Sequence, residues 1–324
     1  MNWALVGTGG ITNNFLTGLR AVADANIVAV VSRAEESARQ FSVTHNIEKS
    51  YTDYDQMLED PAIDIIYLGT PHTTHKDYAI RAFSAKKAVL CEKPAAINAH
   101  DLEEMIATAR KNHVFFMEAM WTRFVPPLCK VREWLRYGLI GEIKMVEANF
   151  GFSVPWKPAE RWLNPALGGG ALLDAGVYPI SLASMIFGGK KPEKIVSILN
   201  IGKTGVDEEV SAVLSYNGRI ANISTALCTK MVNDAYIYGT NGYIHLPDFV
   251  FSHHASLFTD GKYHYNYEPE FISNGYNYEA EEVISCIRAG KIESDIMPLD
   301  ESLAIAHTLD TIRFQNNFKY PGEK

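Results

Sequence analysis

The sequence of 324 residues predicts an α/β chain of two domains. The first is expected to be a doubly wound parallel sheet, the second an α+β domain on a large, mostly antiparallel open sheet. Three observations carry this. Apolar strand segments alternate with helical patterns up to about residue 120; from Lys194 to about Asn266 strand follows strand with no helix between; and the length suits two domains of roughly 150 residues each. The boundary is expected at 122/123, giving domains 1–122 and 123–324.

Taken in order, Trp3 to Val6 reads as a buried strand, Gly7-Thr8-Gly9-Gly10-Ile11-Thr12 as the turn after it, and Asn13 to Val22 as a helix. Glycine suits position 7 for the tight turn and position 9 for the approach of a diphosphate to the backbone, with a helix amino terminus behind to favour the anion. Thr12 stands where a third glycine or alanine is usual. The context of strand, glycine turn and helix makes this a dinucleotide site of the Rossmann type, held by Gly7, Thr8, Gly9, Gly10 and Ile11. The second strand, Ile27 to Val31, ends in Ser32-Arg33 instead of the acid that would bind an adenosine ribose. Serine and arginine suit a 2′-phosphate, so the cofactor expected is NADP, with NAD possible.

A helix from Ala34 to His45, a short strand at Ser50-Tyr51 and a helix from Tyr54 to Leu58 follow, then the strand Ile63 to Leu68. That strand runs into Gly69-Thr70-Pro71-His72-Thr73-Thr74-His75, where Thr70, Pro71, His72 and His75 are expected along the cofactor cleft. The two histidines have no third ligand nearby, so no metal is expected. The helix His75 to Ala85 leads to the strand Val89 to Cys91, which stops at Glu92-Lys93-Pro94. A lysine at a strand's carboxyl end stands where such sheets bind ligands. The helix Ala99 to Asn112 and the strand Val114 to Glu118 close the sheet.

Beyond Met120, the helix Leu128 to Tyr137, the strand Ile143 to Phe152 and a loop from Val154 to Pro165 lead to Gly168-Gly169-Gly170 and a helix bearing Asp174 and Tyr178. Four residues apart, these two share one face, and Pro179 predicts a kink or a later helix start at Tyr178. Strands at Ile195–Ile201, Glu209–Tyr216, Ile220–Leu227, Ala235–Gly239 and Tyr243–Leu246, plus two weaker ones, are divided by turns such as Asn217-Gly218, Thr240-Asn241-Gly242 and Asp260-Gly261. Two helices, Tyr278 to Ala289 and Leu299 to Asn316, finish the chain. Helices covering one sheet face leave the other for a homodimer interface.

Composition bounds the partners. A net charge of −8 without a run of five like charges argues against a phosphate-backbone partner, which needs a concentrated basic face. The four cysteines, Cys91, Cys129, Cys228 and Cys286, lack Cys-x-x-Cys spacing and read as reduced, buried thiols. No leader of export type opens the sequence and no later segment reaches membrane-spanning length. A cytoplasmic protein with neither nucleic-acid nor membrane partner is expected.

The Gly7-x-Gly9 turn, Glu92-Lys93-Pro94 and Gly168 to Tyr178, in this order, resemble the glucose-fructose oxidoreductase and inositol 2-dehydrogenase superfamily over nearly the whole chain. More closely, Leu90 to Pro94, Met117-Glu118-Ala119-Met120-Trp121-Thr122-Arg123-Phe124, Gly169 to Asp174 and Phe187-Gly188-Gly189 resemble the dimeric dihydrodiol dehydrogenases, also described as NADP-dependent D-xylose dehydrogenases. The resemblance implies hydride transfer between NADP(H) and a sugar, polyol or trans-diol. It implies that Lys93 and Tyr178 are catalytic, with Tyr178 as proton acceptor, Lys93 holding the substrate oxygen and biasing Tyr178 toward tyrosinate, and Asp174 positioning a hydroxyl. The alternative is the reverse assignment, with Lys93 as acceptor beside a cationic nicotinamide. Glu92 would adjoin the cofactor; Trp121, Arg123 and Phe152 would wall the substrate pocket; and the Lys93–Pro94 bond would be cis. Two alternatives share the fold, an NAD-dependent inositol-type dehydrogenase and a non-catalytic NADP-sensing protein.

Overall fold

The computed structural model describes residues 1–259, 262–321 and 323. They form two compact units: one of Met1–Ala96, His100–Phe124 and Ile272–Ser302, the other of Ile97–Ala99, Val125–Phe271 and Leu303–Lys324.

The first unit is built on six parallel strands in the order β3-β2-β1-β4-β5-β6. These are β1 (Asn2–Val6), β2 (Asn26–Val31), β3 (Lys49–Tyr51), β4 (Ile65–Leu68), β5 (Ala88–Glu92) and β6 (Phe116–Ala119). Helices α1 (Gly10–Leu19), α2 (Glu35–Thr44), α3 (Tyr54–Leu58), α4 (His75–Ser84) and α5 (Ala99–Asn112) connect them. Strands β4, β5 and β6 are buried along their whole length, as continuous apolar runs in a sheet covered on both faces must be. The strand order reverses between β1 and β4, which is where such sheets bind ligands. Helix α1 begins three residues earlier than periodicity suggested, because Gly9 is already its extended N-cap.

The chain leaves this unit after Phe124 and returns to it for residues 272–302, so one boundary at 122/123 does not describe the packing. The returning segment carries helix α8 (Tyr276–Arg288). It lies on α1 at Gly18, where a Cβ atom would stand 2.7 Å from the Asn277 backbone nitrogen. Asn274 Nδ2 donates to Asn14 O at 2.7 Å, and Tyr276 stacks on Trp121 with ring centroids 4.9 Å apart.

The second unit carries eight strands in the order β14-β13-β12-β11-β7-β10-β9-β8, all pairs antiparallel except β7 with β10. They are β7 (Ile143–Gly151), β8 (Lys194–Ile201), β9 (Asp207–Tyr216), β10 (Arg219–Ala226), β11 (Ala235–Gly239), β12 (Gly242–Leu246), β13 (Ala255–Thr259) and β14 (Lys262–Tyr267). The turn expected at Asp260-Gly261 lies outside the described residues. Helix α6 (Pro126–Arg136) starts at its proline, whose missing N–H would have been unbonded there in any case. Helix α7 (Val177–Phe187) is entered through a π-helical turn at Leu172–Gly176, so of the kink or later start expected near Pro179 the α-helix shows the later start. Helix α9 (Leu299–Gln315) begins in the first unit and continues in the second.

Two expectations are corrected here. The stretch Pro165–Phe187 is long and apolar enough to cross a membrane, but it is the buried core helix of the second unit, apolar on all sides because protein surrounds it. All four cysteines are free, yet only Cys91 and Cys286 are buried; Cys129 on α6 and Cys228 at the end of the β10 segment are exposed. Sheet residues alternate, with Val210, Ala212 and Leu214 of β9 inward and Val213 outward. The outward face leaves Val196, Ile198, Val213 and Ile220 open, Ile198 at 70%.

Alanine for an interior helical glycine usually adds about 1 kcal/mol of stability. At Gly18 the sign should reverse, because the methyl group meets the α8 backbone: Gly18→Ala is expected to cost roughly 1–3 kcal/mol in urea denaturation. An unchanged or raised midpoint would show that α8 can move aside freely.

Candidate active site

Where β1 ends, Gly7 adopts φ +99° and donates its N–H to Val31 O at 3.0 Å. A Cβ there would stand 3.0 Å from Gly69 O, so both the conformation and the space demand glycine. At Gly9 nothing lies within 4 Å of the missing Cβ. Helix α1 behind it has no side-chain cap and no acid in its first turn. An open backbone in front of an uncapped helix amino terminus is what a diphosphate needs. Thr12 is fully buried, and the close approach of α1 to the sheet is kept by Gly69, where a Cβ would lie 2.5 Å from Thr12 Oγ1. Phe15 and Tyr67 stack beside it with ring centroids 3.8 Å apart.

A cavity of about 480 Å³ opens at this turn. Of the residues expected around a dinucleotide, Gly7, Thr8, Gly9, Ser32, Arg33, Thr70 and Pro71 line it. Thr52, Asp53, Tyr54, Tyr78 and Arg81 line it as well, which the sequence reading missed. The available signal was topological: β3 lies beside β2, so the residues after β3 neighbour Ser32-Arg33. Asp53 is occupied as the N-cap of α3, with Oδ1 accepting from Asp55 N at 2.8 Å. Arg81 is held by Asp55 and Asp77 and lies 4.9 Å from the Tyr54 ring centroid. The walls suit an adenosine phosphate: a glycine turn, an arginine and aromatic faces.

The turn after β5 is fixed from three sides. Lys93–Pro94 is cis, as expected. His75 is fully buried, with Nδ1 3.1 Å from Pro94 O and Nε2 2.8 Å from Thr70 O, so it ties the cleft loop to the lysine turn. His72 is buried beside it, ring centroids 5.8 Å apart. Glu118 Oε1 accepts from Ala95 N at 3.0 Å, and Cys91 Sγ lies 3.7 Å from Ala95 O. Glu92 is still part of the strand, buried, and accepts the Tyr67 hydroxyl proton at 2.6 Å. Both oxygens of the fully buried Glu279 lack a hydrogen-bond partner among the described residues. Burial, followed by the Glu92 charge, pushes the Glu279 acid well above the carboxylate range.

Arg123, expected on the substrate wall, is buried in an ion pair with Glu301 at 2.7 Å and donates to Ile296 O at 3.3 Å. Trp121 is likewise buried, against Tyr276. In the second unit, Asp174 is buried on the π turn and paired with Arg161 from the preceding loop, a partner the sequence reading did not name. Tyr178 is 8% exposed and meets Phe150 edge-on with centroids 5.4 Å apart. Phe152 lies 6.1 Å from the Trp162 ring. Asp207 Oδ2 accepts from Leu172 N at 2.6 Å and so pins the start of the turn that carries Asp174.

The parallel sheet, its switch point and the glycine-turn cavity define a dinucleotide-binding protein of the Rossmann type. The family model described as "Oxidoreductase family, NAD-binding Rossmann fold" matches residues 1–120, and that of the "GFO/IDH/MocA C-terminal domain" matches 128–245. The chain belongs to the GFO/IDH/MocA oxidoreductase family. It is 39% identical over 329 residues to trans-1,2-dihydrobenzene-1,2-diol dehydrogenase of Xenopus laevis, covering 98% of this chain and 99% of that protein. To the enzyme of the same name from Homo sapiens it is 34% identical over 334 residues, covering 100% and 99%. The crystal structure of aldose-aldose oxidoreductase from Caulobacter crescentus superposes with a TM-score of 0.87 over 96% of each chain, at 24% identity, a likeness of fold.

Burial pushes the Asp207 carboxyl up to about 7, against the pull of the Leu172 N–H. A folded-state value above the ordinary 3.8 means that its contribution to stability is complete below that pH and is lost as pH rises toward 7. Asp207→Asn keeps an acceptor for Leu172 and removes the titration. Between about pH 5 and about pH 8 the native protein is expected to lose on the order of 2–3 kcal/mol more than the variant. Parallel denaturant curves at the two pH values measure this, and identical losses would refute it.

Proposed function

We propose that the chain is a dehydrogenase that uses NADP(H) to oxidise or form a CH–OH group of a trans-dihydrodiol, sugar or polyol. The observation that carries this reading is the full-length relationship to a trans-1,2-dihydrobenzene-1,2-diol dehydrogenase, with Lys93, Asp174 and Tyr178 all present. When bound, the cofactor takes up or delivers the hydride. The protein's own residues handle the proton. Tyr178 accepts it from the substrate hydroxyl, Lys93 holds the substrate oxygen, and Asp174, its charge balanced by Arg161, orients a neighbouring hydroxyl. Selection of NADP over NAD rests on Ser32 and Arg33 at the cavity wall, since Asp53 is spent on capping α3.

The protein is read as a cytoplasmic homodimer joined through the open sheet face. Val196, Ile198, Val213 and Ile220 form an aliphatic area there, and the facing copy of the same sheet would cover it.

Turnover is tested by following reduced nicotinamide with trans-1,2-dihydrobenzene-1,2-diol, D-xylose and an inositol. Lys93→Met and Tyr178→Phe are each expected to lower kcat about a hundredfold or more. Near-normal turnover in Tyr178→Phe with none in Lys93→Met would move the proton to Lys93. Arg33→Ala should weaken NADPH binding about tenfold or more in a fluorescence titration while leaving NADH unchanged. Equal losses for both cofactors would withdraw the 2′-phosphate assignment. Ile198→Asp combined with Val213→Asp should convert a dimer to a monomer in sedimentation; an unaltered dimer would place the interface elsewhere.

A further inference from the structure

The cofactor reading gives the glycine turn to the diphosphate and Ser32-Arg33 to the 2′-phosphate, and leaves the rest of the cavity wall without a role. The adenine base is joined to the same ribose that carries the 2′-phosphate, so it lies beside Ser32 and Arg33. The wall there is made by the residues after β3 and by helix α4, which bring Asp53, Tyr54, Tyr78 and Arg81 to the cavity.

Two arginines line this cavity, and they are in opposite states. Arg33 is exposed and has no ion pair among the described residues, so its charge and its donors are available to a phosphate. Arg81 is already engaged. Its Nε lies 3.0 Å and its Nη2 2.6 Å from Asp55 Oδ1, and its Nη1 lies 3.1 Å from Asp77 Oδ2. Each guanidinium nitrogen faces a carboxylate, and two acids answer one positive charge. A phosphate brought here would meet the repulsion of those acids along with the attraction of the arginine. What Arg81 still offers is its flat surface, which is weakly hydrated and stacks on ring systems.

It already packs on one ring in this way. The guanidinium carbon lies 4.9 Å from the Tyr54 ring centroid and 6.0 Å from that of Tyr78. Tyr54 is 6% exposed and its hydroxyl donates to Tyr78 O at 2.9 Å, which ties α3 to α4 beside the arginine. Tyr78 stands edge-on to Tyr54, with centroids 4.7 Å apart. The two carboxylates therefore fix the guanidinium, with a buried ring against it, at the cavity wall.

We propose that Arg81 is the stacking platform for the adenine base of the cofactor, held by Asp55 and Asp77 and backed by Tyr54, while Arg33 takes the 2′-phosphate. This rests on the reading of the glycine-turn cavity as the adenosine end of the cofactor site. A base stacks through its π face whatever its ribose carries, so Arg81 serves NADPH and NADH alike. It sets the affinity for adenine dinucleotides and not the choice between them.

The test is Arg81→Lys, which keeps a positive charge for Asp55 and Asp77 and removes the flat surface. It is read beside Arg33→Ala in fluorescence titrations with NADPH and NADH. Expected for Arg81→Lys are Kd values about tenfold higher for both cofactors, with kcat at saturating NADPH within about twofold of the native protein. A loss confined to NADPH would make Arg81 a phosphate ligand and overturn the proposal. Native affinity for both cofactors would reduce Arg81 to a brace between α3 and α4 and overturn it equally. In either case an Arg33→Ala variant weakened for NADPH leaves the reading of the cavity standing, whereas native binding by both variants would remove that reading too. If Arg81→Lys does not fold, saturation-transfer NMR of 2′,5′-ADP on the native protein decides. Stronger saturation of adenine H2 and H8 than of ribose H1′ supports the stacked base, and the reverse refutes it.

Discussion

The turn at Lys93–Pro94–Ala95 depends on groups delivered by three different elements. His75 reaches it from the start of α4, Cys91 from β5 itself and Glu118 from β6. Their hydrogen bonds can form only when β4, β5 and β6 lie side by side in register, as the parallel pairing secures. Because His75 also contacts Thr70, the same contacts bind the lysine turn to the wall of the glycine-turn cavity. The backbone that carries a flexible, polar side chain is thus fixed by contacts on the two residues after it. Such fixation is how a site obtains defined geometry without spending substrate binding on ordering its own residues.

What was legible in the sequence was local. The glycine turn, the abrupt strand end at Glu92-Lys93-Pro94 and the strand-after-strand grammar beyond Lys194 announce themselves within a few residues, and each is present where expected. What was not legible depends on partners far along the chain. Arg123 is paired with Glu301, which lies 178 positions away in the sequence. His75 meets Pro94, which belongs to another strand's end. Tyr54, Tyr78 and Arg81 carry no motif at all; the placement of β3 beside β2 brings the region of Tyr54 to the cavity, and α4 brings Tyr78 and Arg81. The exposure of Cys129 and Cys228 is equally invisible to composition, since a thiol flanked by apolar residues can still sit at an element's outer edge.

The return of residues 272–302 to the first unit bears on how the molecule comes into being. A ribosome delivers all six parallel strands early, yet α8, which lies on α1 at Gly18, is encoded after the entire antiparallel sheet. At translation speeds of roughly 5–20 residues per second, about 7–30 s separate the emergence of residue 124 from that of residue 272. During that interval the α1 surface around Gly18 waits uncovered. Completion of the nucleotide-binding half is therefore a late, post-sheet event, and a nascent chain halted before residue 276 would leave Gly18 and Trp121 without the partners that α8 supplies.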